Sequence, residues 1–393
     1  MTNSSPSEQE GMIAIATGTR ADWGLLSPLA TELCRRGHKV GVMATNMHLR
    51  ADCGHTVDEI VRDGFIPVAE IPADGTPAQI AAAATAGFAA AFGRLHPCAV
   101  VILGDRFEML GVATAALLCG VPIIHIAGGT VSEGAFDDSI RHSISKMANL
   151  HLTETERCRN RLIAMGEQPA QVITTGAIGV ENVLKTPLMT RAELETSLDW
   201  HITGRLIVAT LHAATLSPVS PWQQMKEFLT GLETVMQRYE DIQILLTYPN
   251  NDVDPEPQIA LLEEFVSRHG DRVCLVPSLG RVRYMSALHL ASAVAGNSSS
   301  GLVEVPSVGI PTLDVGIRQA GREHGPSVWH CGPTAAEVAE GLEYVLSERM
   351  QAIAARCENP YACPHTASLM ADAIEKFDFR PYPVKKFYEI ENQ

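Results

Sequence analysis

The stretch "CAVVILGDRFEMLGVATAALLCGVPIIHIAGG", residues 98–129, holds two short apolar runs with a helical stretch between them. The runs "CAVVILG" and "PIIHIAGG" are rich in Val and Ile and bounded by Gly or Pro, the mark of buried strands, while "FEMLGVATAALLCG" has the length of a helix. Strand, helix, strand predicts parallel strands with a helical crossover, and so an α/β fold. The two strands end in Gly104-Asp105-Arg106 and Gly128-Gly129. In open parallel sheets ligands sit beyond the carboxyl ends of the strands, so these polar ends are the first place to look for a site.

The same alternation runs in both directions from there. "MIAIAT" precedes "GLLSPLATELCRRG" and "KVGVMAT", with polar ends at Thr17-Gly18-Thr19-Arg20 and Thr45-Asn46-Met47-His48, and "LHLTET" and "VITTGAIG" follow. A Pro/Thr-marked stretch, "PLMTRAELETSLDWHITGR" (187–205), interrupts the pattern and reads as a linker containing a helix. The pattern restarts at "RLIVATLH", with helices expected at 221–238, 257–269, 281–290 and 334–356 and strands at "IQILLTYPN", "RVCLVPSL", "SAVAG" and "PTLDVG". A chain of 393 residues exceeds the size of one growing core, so two α/β domains of similar size are expected.

Composition narrows the function. Apolar residues make up 46% and aromatics 5% of the chain, an aliphatic balance suited to buried parallel strands. The formal net charge of −15, with no Lys/Arg run, argues against nucleic acid and against an anionic membrane surface. No apolar run approaches a membrane span, and "MTNSSPSEQE" lacks the apolar core of a signal peptide, so a cytoplasmic location is expected. The nine cysteines contain no CxxC pair and read as reduced, buried small hydrophobes. His, Cys and Asp are not grouped at ligand spacings, so no metal is expected; neither is NAD, because its fingerprint is missing.

Three segments point to phosphate or nucleotide. "AVAGNSSSGLVEVPSVGIP" (293–311) sets Ser298, Ser299, Ser300 and Gly301 between a strand and a helix start, where free backbone N–H groups and hydroxyls favour an anion such as a diphosphate. Glu304, one turn on, is placed to accept from ribose hydroxyls; an ordinary Ser-capped helix is the alternative. Arg318 and Arg322 in "GIRQAGREHG" share an i, i+4 face, either toward a phosphate or as surface arginines. Arg20 and Asp22 occupy a strand-to-helix turn suited to a nucleotide, although it is neither GxGxxG nor a Walker loop.

The segments "TGTRADWGLLSPL", "NMHL", "GDRFEML", "HIAGG", "DDSIRHSISKMANLHLTETE", "TLHAATL", "TYPNND", "SLGRVRYMSALHLASAVAGNSSSGLVEVPSVGIPTLDVGIRQAGRE" and "NPY" occur in this order from about residue 17 to 361. Together they resemble the UDP-N-acetylglucosamine 2-epimerase family. The "DDSIRH" run resembles its hydrolysing branch, which releases UDP and N-acetylmannosamine, rather than the non-hydrolysing enzymes with their "HVEAGLR"-like segment. The resemblance implies a GT-B fold with two Rossmann-like domains facing a central cleft: residues 1–187 carrying the sugar and the catalytic acids, 188–370 binding the nucleotide, and a C-terminal helix and tail, 371–393, crossing back. It also implies a nucleotide-sugar substrate and a homo-oligomer, dimer or tetramer.

Residue by residue, the resemblance makes Asp105 and Asp137 catalytic acids, supported by Asp138, Arg141 and His142, and places His212 in "ATLHAAT" near the diphosphate or the sugar. Arg106, His48, His125, Asn250 and Arg281 are further candidates for substrate contact, Arg281 with Arg283 and Tyr284 either on uracil or bracing "GRVRY". Many relatives read "HIEGGE" where this chain has His125-Ile126-Ala127-Gly128-Gly129-Thr130, so both glutamates are absent; Glu133, in a loop one residue longer, is the expected replacement. That departure keeps open a UDP- or GDP-linked 2,4-diacetamido sugar of the legionaminic type as substrate. It also makes a sugar-nucleotide sensor conceivable; a GT-B glycosyltransferase, sharing the nucleotide cradle, is a further alternative that the "DDSIRH" loop argues against.

Overall fold

The computed structural model describes residues 11–132, 137–214, 217–249, 255–380 and 382–390. The chain divides into two compact units: Met1–Thr130, Ser139–Ile178 and His365–Gln393 form the first, and Val131–Asp138 with Gly179–Pro364 the second. The division falls after Ile178 where 187 was expected, and the chain returns at His365 rather than 371. The stretch 187–205 belongs to the second unit and carries the helix Arg191–Leu198, started by a reciprocal capping box between Thr190 and Glu193.

The first unit is built on seven parallel strands: β1 (Ile13–Thr17), β2 (Val40–Thr45), β3 (Ala69–Ile71), β4 (Ala99–Leu103), β5 (Ile123–Ile126), β6 (Leu150–Thr153) and β7 (Val172–Thr174). Every residue of β1 is buried, which is why its sequence is continuously apolar rather than alternating. One face of the sheet is covered by Trp23, Leu26, Leu29 and Leu33 of the helix Arg20–Arg35, with Met370 and Ile374 of the helix Thr366–Lys376. Phe88, Phe92 and Val112 cover the other. Arg36 ties the two helices of the first face together, its Nη1 donating to Asp372 Oδ1 at 2.6 Å and Glu375 Oε2 at 2.9 Å. The strand order is β3-β2-β1-β4-β5-β6-β7. Connections run outward to opposite sides from β1 and β4, so the crevice of this sheet opens beyond those two strand ends.

The second unit repeats the plan with β8 (Arg205–Thr210), β9 (Ile242–Thr247), β10 (Val273–Val276), β11 (Ala291–Gly296), β12 (Thr312–Val315) and β13 (Val328–Cys331), in the order β10-β9-β8-β11-β12-β13. Its switch lies between β8 and β11. Helices occupy Pro221–Arg238, Glu256–His269 and Gly280–Leu290, where the periodicity put them. The single helix expected at 334–356 is two, Ala335–Val345 and Glu348–Ala354, because the Ser347 side chain accepts from the Met350 N–H and starts a new helix. The cysteines also differ from expectation: Cys98, Cys158 and Cys274 are buried, but Cys34, Cys119 and Cys357 are exposed. Among the described residues no helix is long and apolar enough to cross a membrane, and no three metal-binding side chains are grouped.

Candidate active site

At the β1/β4 switch point three charged side chains meet. The Thr19 hydroxyl caps the following helix, accepting from the Asp22 N–H at 3.1 Å, and the Gly18 N–H donates to Asp22 Oδ2 at 3.4 Å. After β4, Arg106 Nε donates to Glu108 Oε1 at 2.6 Å; Glu108 is wholly buried and its Oε2 has no protein partner. A Cβ on Gly18 would overlap the Glu108 carboxylate, so only glycine lets Asp22 and Glu108 flank this turn. Burial pushes Asp22 up from 3.8 to about 6, opposed by the Arg106 charge and reinforced by Glu108. Arg20 is half exposed and lies 4.0 Å from Glu59.

Beside them lies the acidic helix, Asp137–Met147, whose first turn carries Asp137 and Asp138 at the positive end of the helix dipole. Asp138 Oδ1 accepts from the Ser132 N–H at 2.9 Å. Arg141, on the same helix and only 3% exposed, donates through Nη2 to Asp105 Oδ2 and through Nη1 to the Thr130 carbonyl at 2.8 Å. Asp105 keeps 23% of its side-chain surface. One carboxylate is thereby paired, with an accessible edge, to a guanidinium that is itself fixed to the loop after β5. His142 follows Arg141 on the helix, half-buried. Glu133 lies outside the described residues, as does Asn250.

The loop after β5 shows what the absent glutamates leave behind. Ala127 sits at φ 63°, a left-handed conformation costly for a residue with a Cβ. Thr130 Oγ1 donates to the Ala127 carbonyl at 3.2 Å and lies 3.3 Å from Glu154 Oε2, a carboxylate at the end of β6.

Two histidines expected to touch substrate brace the fold instead. His48 is fully buried, its Nε2 3.0 Å from Thr17 Oγ1 and its Nδ1 2.9 Å from Thr56 Oγ1, and burial holds it near 4, hence neutral. His125 is likewise buried, with Nδ1 3.0 Å from Ser145 Oγ and Nε2 2.8 Å from the Gly104 carbonyl, and burial holds it near 3. Both rings have spent both nitrogens on protein partners.

At the β8/β11 switch point of the second unit, Asn297 is the keystone. Its Oδ1 accepts from the His212 N–H at 2.8 Å and its Nδ2 donates to the His212 carbonyl at 2.9 Å, locking the end of β8 to the end of β11. Its own carbonyl accepts from Arg318 Nη1 at 3.1 Å and Gln319 Nε2 at 2.9 Å, which fixes the loop after β12. Gly296, at φ 133°, approaches β8 so closely that a Cβ would overlap the Thr210 carbonyl. Burial, aided by the Arg318 charge, pushes His212 down to about 3, so its ring is a neutral donor-acceptor at ordinary pH.

The serine run does not cap its helix. Ser299 stands at the N-cap of Ser300–Val303 without a side-chain capping bond, and Ser300 Oγ is 2.8 Å from Tyr284 Oη. Glu304 packs against Gly179, where any side chain would overlap its carboxylate, and its charge together with burial raises Tyr284. Arg322 Nε is buried without a protein partner, an N–H left for an anion. Arg281 is exposed on the helix Gly280–Leu290, and Arg283 turns back to the Leu279 and Ser278 carbonyls. The structure thus brings together Asp22 with Arg106, Asp105 with Arg141, and His212 with Arg318. Glu108 and Glu154 were not anticipated, though both lie inside the quoted "GDRFEML" and "DDSIRHSISKMANLHLTETE".

The family model described as UDP-N-acetylglucosamine 2-epimerase matches residues 31–375. The chain is 33% identical over 317 residues to the GDP/UDP-N,N'-diacetylbacillosamine 2-epimerase (hydrolyzing) of Campylobacter jejuni, covering 79% of this chain and 81% of that one. It is 31% identical over 389 residues to polysialic acid biosynthesis protein P7 of Escherichia coli, covering 96% and 97%. The crystal structure of UDP-GlcNAc 2-epimerase from Neisseria meningitidis bound to UDP-GlcNAc superposes with a TM-score of 0.79 at 16% identity, over 93% of this chain and 100% of that one. The fold is GT-B-like, with two Rossmann-like units.

Proposed function

The chain belongs to the UDP-N-acetylglucosamine 2-epimerase family, and from that premise we propose that it is a hydrolysing 2-epimerase, converting a nucleotide-linked 2-acetamido sugar and water to the free 2-epimer and the nucleoside diphosphate. The observation that carries this reading is Asp105, a carboxylate braced by Arg141 on a helix opening with Asp137 and Asp138. The reaction removes the hydrogen at C2, expels the diphosphate from C1 and adds water across the resulting glycal. The C2 hydrogen is barely acidic, so leaving-group departure runs ahead and positive charge builds at C1. Asp105 and Asp137 stabilise that charge and take the proton.

The leaving diphosphate needs donors that do not depend on protonation. Neutral His212, the 298–301 serine loop, Arg318 and Arg322 supply them, with Glu304 accepting from ribose hydroxyls. Asp22 and Arg106 contact the substrate in this assignment. Nucleotide sugars are cytoplasmic metabolites, and a cytoplasmic homo-oligomer belongs to the same reading.

UDP-GlcNAc is the first substrate in this proposal. A second, UDP- or GDP-linked N,N'-diacetylbacillosamine, is favoured by Ala127 standing where many relatives have a glutamate, and by the Campylobacter relative's activity. Proton NMR in deuterated water with each nucleotide sugar tests the proposal. Free UDP or GDP and a 2-epimer carrying deuterium at C2 are expected for at least one. Transfer to an acceptor sugar, or tight UDP binding with no turnover of any, overturns it.

A further inference from the structure

The C-terminal tail, 382–390, has no regular secondary structure, yet it is laced onto the far end of the acidic helix. Lys385 Nζ lies 3.1, 2.7 and 2.8 Å from the carbonyls of Ser145, Lys146 and Ala148, at the end of the helix where intrahelical donors run out. The same ammonium is 2.6 Å from Glu167 Oε2, and Glu167, 1% exposed, also accepts from Lys146 Nζ at 2.8 Å and lies 3.0 Å from His151 Nε2. Around Lys385 the tail makes further contacts. The Tyr388 N–H donates to the Gly166 carbonyl at 2.8 Å, Asn149 Nδ2 to the Pro383 carbonyl and Gln168 Nε2 to the Lys386 carbonyl, each at 3.3 Å. The Phe387 ring lies 4.7 Å from the Lys146 ammonium and over Gly166, where any Cβ would collide with it.

This anchorage leads to the reacting end of the helix. Ser145, whose carbonyl meets Lys385, uses its hydroxyl on His125, and His125 meets the carbonyl of Gly104, the residue before Asp105. One turn earlier on the same helix, Arg141 grips Asp105 itself. A cation at the carbonyl end and acids at the N–H end both favour the helix dipole.

We propose that residues 382–390 form a strap that positions the acidic helix, with Lys385 as its anchor. Lys385 is a positioning residue, acting through Ser145 and Arg141 on Asp105. This rests on the proposed function for its catalytic consequence, but not for its mechanical one.

The test uses the full chain with Lys385→Ala, Lys385→Arg and Phe387→Ala. Hydrogen exchange of residues 139–147 is expected to run about tenfold faster in Lys385→Ala, from loss of the carbonyl contacts. Unchanged exchange overturns the strap whether or not the protein turns over. In turnover, kcat is expected to fall at least about 10-fold with KM within about twofold, because the helix is misplaced rather than the nucleotide lost. Added propylammonium, but not sodium chloride at equal ionic strength, restores part of the loss; Lys385→Arg retains most activity, and Phe387→Ala shifts both readouts the same way by less. Wild-type kcat in Lys385→Ala, or a rise in KM alone, overturns the proposal. If the wild-type chain turns over no nucleotide sugar, the functional reading falls while the exchange measurement still decides the strap.

Discussion

The two units share one plan and equip it differently. Both place a switch point at the centre of a parallel sheet, but at β1/β4 the loops gather Asp22, Arg106 and Glu108 with Asp105 and Arg141 nearby, while at β8/β11 they gather Asn297, neutral His212, Arg318 and a serine run. Carboxylates interlocked with guanidiniums suit the handling of protons and developing positive charge. Neutral and guanidinium donors on a locked backbone suit a diphosphate that must be held and then released. The fold supplies the crevice, and the residues in it decide the work done there.

If that division of labour is right, variants in the two places should fail differently. The largest effect is expected for Asp105→Asn, with kcat lower by about 10²- to 10⁴-fold, the range of an acid or base acting in the transition state. Next is Asn297→Ala, which unpins His212 and the loop after β12 together. Its KM should rise about 10-fold or more while kcat changes little, as when binding common to ground and transition states is lost.

His212→Gln sharpens the contrast further. Since His212 takes a proton only near pH 3, it contributes no arm to the pH profile between about pH 5 and 8, and glutamine, a neutral donor, should keep activity within about fivefold. An arm near 6.5 in the wild type that vanishes in the variant would make His212 an acid-base group and break the comparison.

Asp22 belongs to the other side. Its pKa is raised on folding, so its contribution to stability is fully present below 3.8 and is lost as pH rises through about 6. Thermal unfolding of Asp22→Asn should therefore gain on wild type as pH rises across that window and stay level above it; a constant difference would remove Asp22 from the buried cluster. The smallest effect is expected for Ala127→Gly, which relieves the left-handed alanine. It should stabilise by about 1 kcal/mol with kcat within about twofold.

Much of this was legible in the chain. The strand ends announced themselves because buried apolar runs stop abruptly at Gly104-Asp105-Arg106 or Gly296-Asn297, and the helix starting at Pro221 carries a residue suited to a first turn. What stayed hidden depends on distant partners. Nothing beside His48 or His125 reveals that Thr17, Thr56, Ser145 and Gly104 will occupy their nitrogens. Glu108 reads locally as an ordinary first-turn acid, and only the approach of Gly18 shows it to be buried. Lys385 sits in a tail without regular secondary structure, and its carbonyl partners lie more than two hundred residues away.

The most direct test is calorimetric titration of UDP into wild type, Asp105→Asn and Asn297→Ala, beside their turnover. The account predicts that Asp105→Asn binds UDP as wild type does while losing its turnover, and that Asn297→Ala weakens UDP about 10-fold or more. Loss of UDP binding in Asp105→Asn, with Asn297→Ala binding normally, would contradict it.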